Sequence, residues 1–259
     1  MLLPLIETRY TRRNLIRKLG RSRATDFMEL CSMTVSDGPF NGGDDFQGDT
    51  LQGTYQSTAS GANSVAAAIS TGVVNGAILL DAGDANAGRS DLSWGLHYQA
   101  QLNAVYIARF SINVLTTRKF EIGFTDTISG TDAGAVSVKA TPTFNTTDGV
   151  VLCYDTNDDT NLTLIGAKAG VAATVADFST ALSAATYYYF GVALQGAADA
   201  ATGFLLDANG YFLEEKTITA AVTTTVLLTP WLFVQNRAGN AGSMTVDWHR
   251  AYQRRTTTE

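Results

Sequence analysis

Charge is scarce in this chain. Asp, Glu, Lys and Arg make up 16% of its 259 residues, against the roughly 25% usual in soluble domains, so Thr, Ser, Asn, Gln and Gly carry its polarity. Proline is rarer still: four residues leave most turns to 24 glycines. No apolar run approaches the ~20 residues that a membrane-spanning helix needs. The apolar stretch Met1 to Ile6 precedes a basic cluster instead of following one, the reverse of a secretory signal, so neither export nor membrane anchoring is expected. Cys31 and Cys153 are far apart, each in an apolar stretch, which favours buried free thiols over a disulfide. No Cys/His spacing suits zinc.

What is abundant points to strands. Hydrophobic residues are 45% of the chain, and Val, Thr, Tyr and Phe suit a pleated, half-buried surface. Single all-β domains of roughly 200–250 residues are ordinary, so one main domain over residues 26–253 is expected, with a 254–259 tail. Phe27 to Val35 is a first strand candidate, and 36–64 reads as an extended loop or weakly paired edge within an irregular lead-in at 36–90. In Ser64 to Ala82 the alanines favour helix while Gly72 and Gly76 break it; Val73 to Leu80 is taken as strand. Leu92 to Leu102 and Val105 to Leu115 follow, the second with a phase slip near Ala108 that suits a bulge.

Lys119 to Thr125 alternates, placing Phe120, Ile122 and Phe124 on one face, and Thr116-Thr117-Arg118 is expected to close a hairpin between it and the preceding strand. Further strands are expected at 135–139, 150–154, 162–165, 187–194, 203–206, 211–218, 229–235 and 244–250, with Asn209-Gly210 marking a hairpin. The stretch 166–185 reads as a short helix or an irregular loop. This count favours an antiparallel sandwich over an α/β fold.

The net charge of −6 conceals a division. Residues 1–25 carry Arg9, Arg12, Arg13, Arg17, Lys18, Arg21 and Arg23 against Glu7, a net of +6, which leaves −12 on the rest. Here Thr11 is placed to cap a short helix in which Leu15, Ile16 and Leu19 share a face while Arg12, Arg13 and Lys18 point elsewhere. About nine residues of helix are too few to stand alone in water, so this arm either folds against a partner or is a solvated terminus. The partner is the acidic body, another subunit, another protein or nucleic acid. The last is disfavoured, because the arm lacks interleaved aromatics beyond Tyr10 and the body repels phosphate.

Catalytic signatures are missing. Glycosidases use paired carboxylates flanking the scissile bond. Glu214 and Glu215 are adjacent and so point to opposite faces of a strand. There is no Gly-x-Ser-x-Gly, Walker or dinucleotide pattern. His97 and His249 sit among aromatics in strand-like segments, where structural roles are expected. The alternating oxygens of Asp155, Asn157 and Asp159 offer a weak calcium candidate, but Thr160 and Gly166 stand where a helix-loop-helix calcium loop needs Gly and Glu; an Asx-rich turn is the competing reading. Trp94, Trp231 and Trp248 are either core residues or rings on which a sugar stacks.

The segments GVVLCYDTNDDTN, TYYYFGVALQG, LLDANGYFLEE and PWLFVQNRAGNAGSMTVDWHRAYQRR give residues from about 90 to 253 an order and texture that resemble the concanavalin A-like jelly roll of lectins and glucanases. Such a Thr/Ala/Gly-rich sandwich behind a basic arm also resembles bacteriophage virion proteins that decorate capsids or join fibres to the particle. That resemblance implies a non-enzymatic structural protein on the virion, in homo-oligomers with trimers favoured, whose arm grips the major capsid protein or another virion protein. A glycan- or receptor-binding fibre module is the alternative. No cofactor is expected.

Overall fold

The computed structural model describes residues 41–44, 46, 50–51, 54–70, 73, 76–127 and 134–253. The arm at 1–25, the strand candidate Phe27 to Val35 and the 254–259 tail lie outside the described residues.

Two antiparallel sheets pack face to face. The eight-stranded sheet contains β1 (Asn41–Asp44), β4 (Val65–Ile69), β5 (Ile78–Asp81), β7 (Val105–Ile112), β15 (Tyr187–Gln195), β16 (Ala200–Leu206), β17 (Phe212–Thr219) and β19 (Ser243–Tyr252). Its order is β17-β16-β15-β7-β19-β5-β4, with β1 also on β19. The nine-stranded sheet contains β2 (Tyr55–Gln56), β3 (Ala59–Ser60), β6 (Arg89–Trp94), β8 (Arg118–Thr125), β11 (Gly149–Asp155), β12 (Asp159–Lys168), β13 (Val171–Ala172), β14 (Ala176–Asp177) and β18 (Thr229–Asn236). It runs β13-β12-β11-β8-β18-β6-β2, with β14 on β12 and β3 on β6. A small pair, β9 (Val136–Val138) and β10 (Thr143–Phe144), stands apart.

Period-two alternation builds the core. Phe120, Ile122 and Phe124 of β8 point inward as expected, meeting Tyr106, Ala108, Phe110 and Ile112 of β7. The Phe110–Phe120 and Tyr106–Phe124 ring centroids both lie 5.8 Å apart. These tilted pairs add to the apolar burial between the sheets.

β7 carries no bulge: Ala108 is simply its small inward residue, and the register shift lies across from it in β19, between Val246 and Trp248. The start of β7 is apolar on both faces, because Val105 and Ile107 join a second cluster on the outside, and that disguised the alternation. Nor do β7 and β8 form a hairpin. β7 pairs with β15 and β19, and β8 with β11 and β18. Both strands therefore have both edges filled, and the 113–117 connection crosses from one sheet to the other. Arg118 anchors the crossing by donating to the Asn236 side chain and the carbonyls of Asn240 and Ala241.

Elsewhere the expected strands form, and Asp207–Gly210 closes the β16–β17 hairpin: Asp207 Oδ1 accepts the N–H groups of Asn209 and Tyr211, and Gly210 has φ +79°. The alanine-rich run forms edge strand β4, and the expected strand at 73–80 shrinks to β5. The strand-like Leu92 to Leu102 stretch ends at Trp94, with a 3-10 turn at Ala100–Leu102. In 166–185 the short strands β13 and β14 replace the helix alternative.

Candidate functional site

The outward face of the nine-stranded sheet gathers its buried charges. On the central strand β8, Lys119 and Glu121 project away from the core, and both side chains are 0% exposed, 3.0 Å apart. Glu121 also accepts the N–H groups of Ala135 (2.7 Å) and Val136 (3.0 Å) and the indole N–H of Trp231 (2.9 Å). Lys119 Nζ donates to the Val136 carbonyl and lies 5.6 Å from the Phe233 ring centre. The pair thus clamps the segment leading into β9 over the sheet, where Ala135, Val136 and Phe144 pack on Val151, Cys153, Ile165, Trp231 and Phe233. Gly134 at the start of this clamp has φ +79°, and a Cβ there would fall 2.7 Å from the Glu121 carboxylate.

Asp91, on the same face of β6, is buried and accepts the Thr58 N–H and hydroxyl (3.1 and 2.6 Å). Burial raises its pKa above the ordinary carboxylate value. Glu121 and Asp91 are separated by Phe233 of β18. Each is enclosed by its own donors, which differs from the open cleft that glycosidase carboxylates line.

The carboxylates of the calcium candidate have partners within the chain. Asp155 makes a bidentate pair with Arg237 (Nε–Oδ1 2.8 Å) and accepts the Asn157 N–H. Asp159 pairs with Lys139 and takes the Asn161 N–H at 2.7 Å. Burial would raise the Asp159 pKa, but those two partners leave it lowered. The two carboxylates turn to different cations across an Asx-type β11–β12 turn. Among the described residues no group of three or more His, Cys, Asp or Glu is arranged to hold a metal.

The other candidates separate by burial. His249 is buried with Nε2 2.8 Å from the Tyr55 hydroxyl and Nδ1 3.2 Å from that of Tyr106, against the Phe46 and Trp94 rings. Trp94 and Trp231 are core residues, while Trp248 stays half-buried on the outside. Glu214 and Glu215 do face opposite ways. Glu214 accepts the N–H groups of Ser179 and Thr180 and pairs with Lys216; burial opposes ionisation, yet these partners bring it down to about 2.

Cys153 sits directly across from Glu121, and burial pushes its thiol far above the ordinary range. In a Cys31→Ser chain a disulfide reagent is therefore expected to leave Cys153 unmodified until denaturant is added, because the thiolate is the reactive form. Stoichiometric labelling of the native protein would show the site to be open.

The outward face of the eight-stranded sheet is aromatic. Tyr187 and Tyr189 of β15 and Trp248 of β19 are half-buried, with the Tyr189 and Trp248 rings 5.8 Å apart. Arg109 lies between them in the ladder, its guanidinium 4.1 Å from the Tyr187 ring centre and 2.7 Å from Asp247.

No protein-family model matches the sequence, and comparison with curated proteins finds no match. Solved structures are more informative. A protein of unknown function from Shewanella oneidensis MR-1 superposes with a TM-score of 0.60 at 14% identity, covering 92% of this chain and 96% of that one. Peanut lectin gives 0.57 at 11% (85% and 100%), and Bacillus licheniformis β-glucanase 0.52 at 14% (85% and 100%). The fold is the concanavalin-like sandwich of the legume lectins.

Most of these buried charged residues have no signature in the sequence. Lys119, Glu121, Lys139 and Arg237 carry no motif, since apart from the Lys119–Glu121 pair itself their partners lie 14 to 110 residues away in the chain. One signal was present: Lys119 and Glu121 share one face of a strand whose other face is Phe-Ile-Phe. A charged pair on a strand central enough to be apolar behind is a buried pair. Asp155 and Asp159 accept the N–H groups of Asn157 and Asn161 in an Asx-type turn, while the arm residues Arg9 to Arg23 lie outside the described residues.

Proposed function

We propose that this lectin-like sandwich works by association and not by catalysis, as a virion structural protein of the capsid-decoration type attached through residues 1–25. The observation that carries the non-catalytic reading is the saturation of Glu121. It is the one carboxylate of the central strand β8, and three N–H groups and an ammonium already occupy it. A general acid or nucleophile must reach its substrate; this carboxylate reaches only its own chain. The decoration reading is supported by the division of charge, +6 on residues 1–25 and −12 on the remainder.

Reversing Arg12, Arg13, Arg17 and Lys18 to Glu in the full chain is expected to abolish co-sedimentation with capsids. The unmodified chain should bind about tenfold more weakly in 0.5 M than in 0.05 M salt, because screening shortens the reach of the arm's charges. Undiminished attachment of the variant would remove the arm from the mechanism. Glycan binding is the second reading, favoured by the outward Tyr187, Tyr189 and Trp248 rings and by the lectins among the structural neighbours, one of them complexed with galactose. A glycan array blank with and without calcium would count against it.

A further inference from the structure

Val105 and Ile107 of β7, Phe204 and Leu206 of β16 and Tyr252 of β19 cluster on the side of the eight-stranded sheet turned away from the sandwich, each 5% exposed or less. Tyr189, Phe212 and Trp248 rim this cluster. The described strands and helical turns with substantial contacts to these strands are their sheet neighbours, strands of the opposite sheet and the turn at Ala100–Leu102. None of those lies across the outward face. Phe and Ile on a sheet surface become this inaccessible only beneath another layer.

We propose that the layer is the N-terminal segment of the same chain, residues 1–40, seated with Leu15, Ile16 and Leu19 on this cluster and with its basic side chains left for the partner. Three observations commit the face to that occupant. The segment ends beside it: Asn41, the first residue of β1, pairs with Tyr252, a member of the cluster. Forty residues reach well beyond the roughly 20 Å across five strands at ~4.8 Å spacing.

The segment also has the matching surface, an apolar Met1 to Ile6 stretch and a helical stripe at 15, 16 and 19 too short to be stable by itself. Charge agrees as well, one basic group of the seven facing the body while the rest stay free for the partner. The first 25 residues carry +6, and Glu215, opposite Phe204 on this face, holds a buried carboxylate oxygen with no hydrogen-bond partner.

The proposal is independent of whether capsids bind, because it is read on the isolated full chain. Benzoylphenylalanine placed at Trp248, with Tyr189 as a second probe position, should crosslink on irradiation to peptides within residues 1–40, in a product of monomer mass. The combined L15D, I16D and L19D substitutions should reduce that yield at least tenfold. Peptides from 1–40 in a product of dimer mass would overturn the same-chain seat in favour of an exchanged arm. Crosslinks confined to residues beyond 40 from both probe positions, in variants that melt as cooperatively as the parent, would overturn the proposal altogether. Crosslinking to the arm would also remove this face from the glycan-binding reading.

Discussion

Glu121→Ala is expected to lower the unfolding free energy by about 3–5 kcal/mol, the range for breaking one side of a buried ion pair. The substitution leaves the Lys119 ammonium without its carboxylate and strips acceptors from three N–H groups, two on the backbone of Ala135 and Val136 and one on Trp231. Each is a buried donor whose desolvation is no longer compensated. Lys119→Met should cost less, because Glu121 keeps its three N–H donors and the methionine stem can fill the space beside Phe233.

The double variant Lys119→Met/Glu121→Gln should cost less than the sum of its single changes, since the two charges are coupled. Urea denaturation gives all three values, and hydrogen exchange at Ala135 and Val136 should quicken in Glu121→Ala before the rest of the sheet opens. A loss under about 1 kcal/mol, the scale of a surface pair, would mean that water reaches this clamp.

Acidification is expected to destabilise the protein through His249. Burial lowers its pKa to about 3 from the usual 6.5, and among the described side chains the groups facing it are the Tyr55 and Tyr106 hydroxyls and the rings of Tyr55, Phe46 and Trp94. The folded chain keeps this imidazole neutral where the unfolded chain protonates it. Below pH 6.5 the unfolded state therefore binds the extra proton, and stability falls by about 1.4 kcal/mol per pH unit. About 2 kcal/mol should be lost between pH 6.5 and pH 5.

This window lies above the one in which Glu214, brought down to about 2, contributes. A depressed carboxylate loses its stabilisation only as pH falls below its ordinary value near 4.5. His249→Gln preserves hydrogen bonding without titrating in this range, so its stability should be nearly flat from pH 6.5 to pH 5. An equal slope in parent and variant, measured by denaturant unfolding at each pH, would assign the acid sensitivity elsewhere.

His249 and Glu121 leave very different traces in the sequence. The aromatic flanks of His249 suggest a structural side chain, but not its contacts with Tyr55 and Tyr106, which lie 194 and 143 positions away. Glu121 was passed over because a lone carboxylate in a strand has no motif. Its meaning comes from Trp231, 110 residues later, and from a segment that folds back over the sheet. Trp231, for which the sequence leaves core packing and sugar stacking open, is buried, and its indole partner has no sequence signal.

By itself the sequence determined what a strand's own geometry decides. Side chains alternate because of the pleat, so Phe120, Ile122 and Phe124 had to share a face, and Asn209-Gly210 had to turn because glycine accepts positive φ. Tertiary structure decided everything that depends on who sits beside whom. β7 and β8 have the local pattern of a hairpin, yet each found both its neighbours elsewhere in the chain, and their apolar rows met across the sandwich instead. The same competition for edges placed Lys119 and Glu121 at the centre of a sheet, where the loss of water turned an ordinary charged pair into a clamp. Alternation is a property of one strand, whereas sheet order and burial are properties of the whole set of strands competing for edges, and only the assembled fold resolves them.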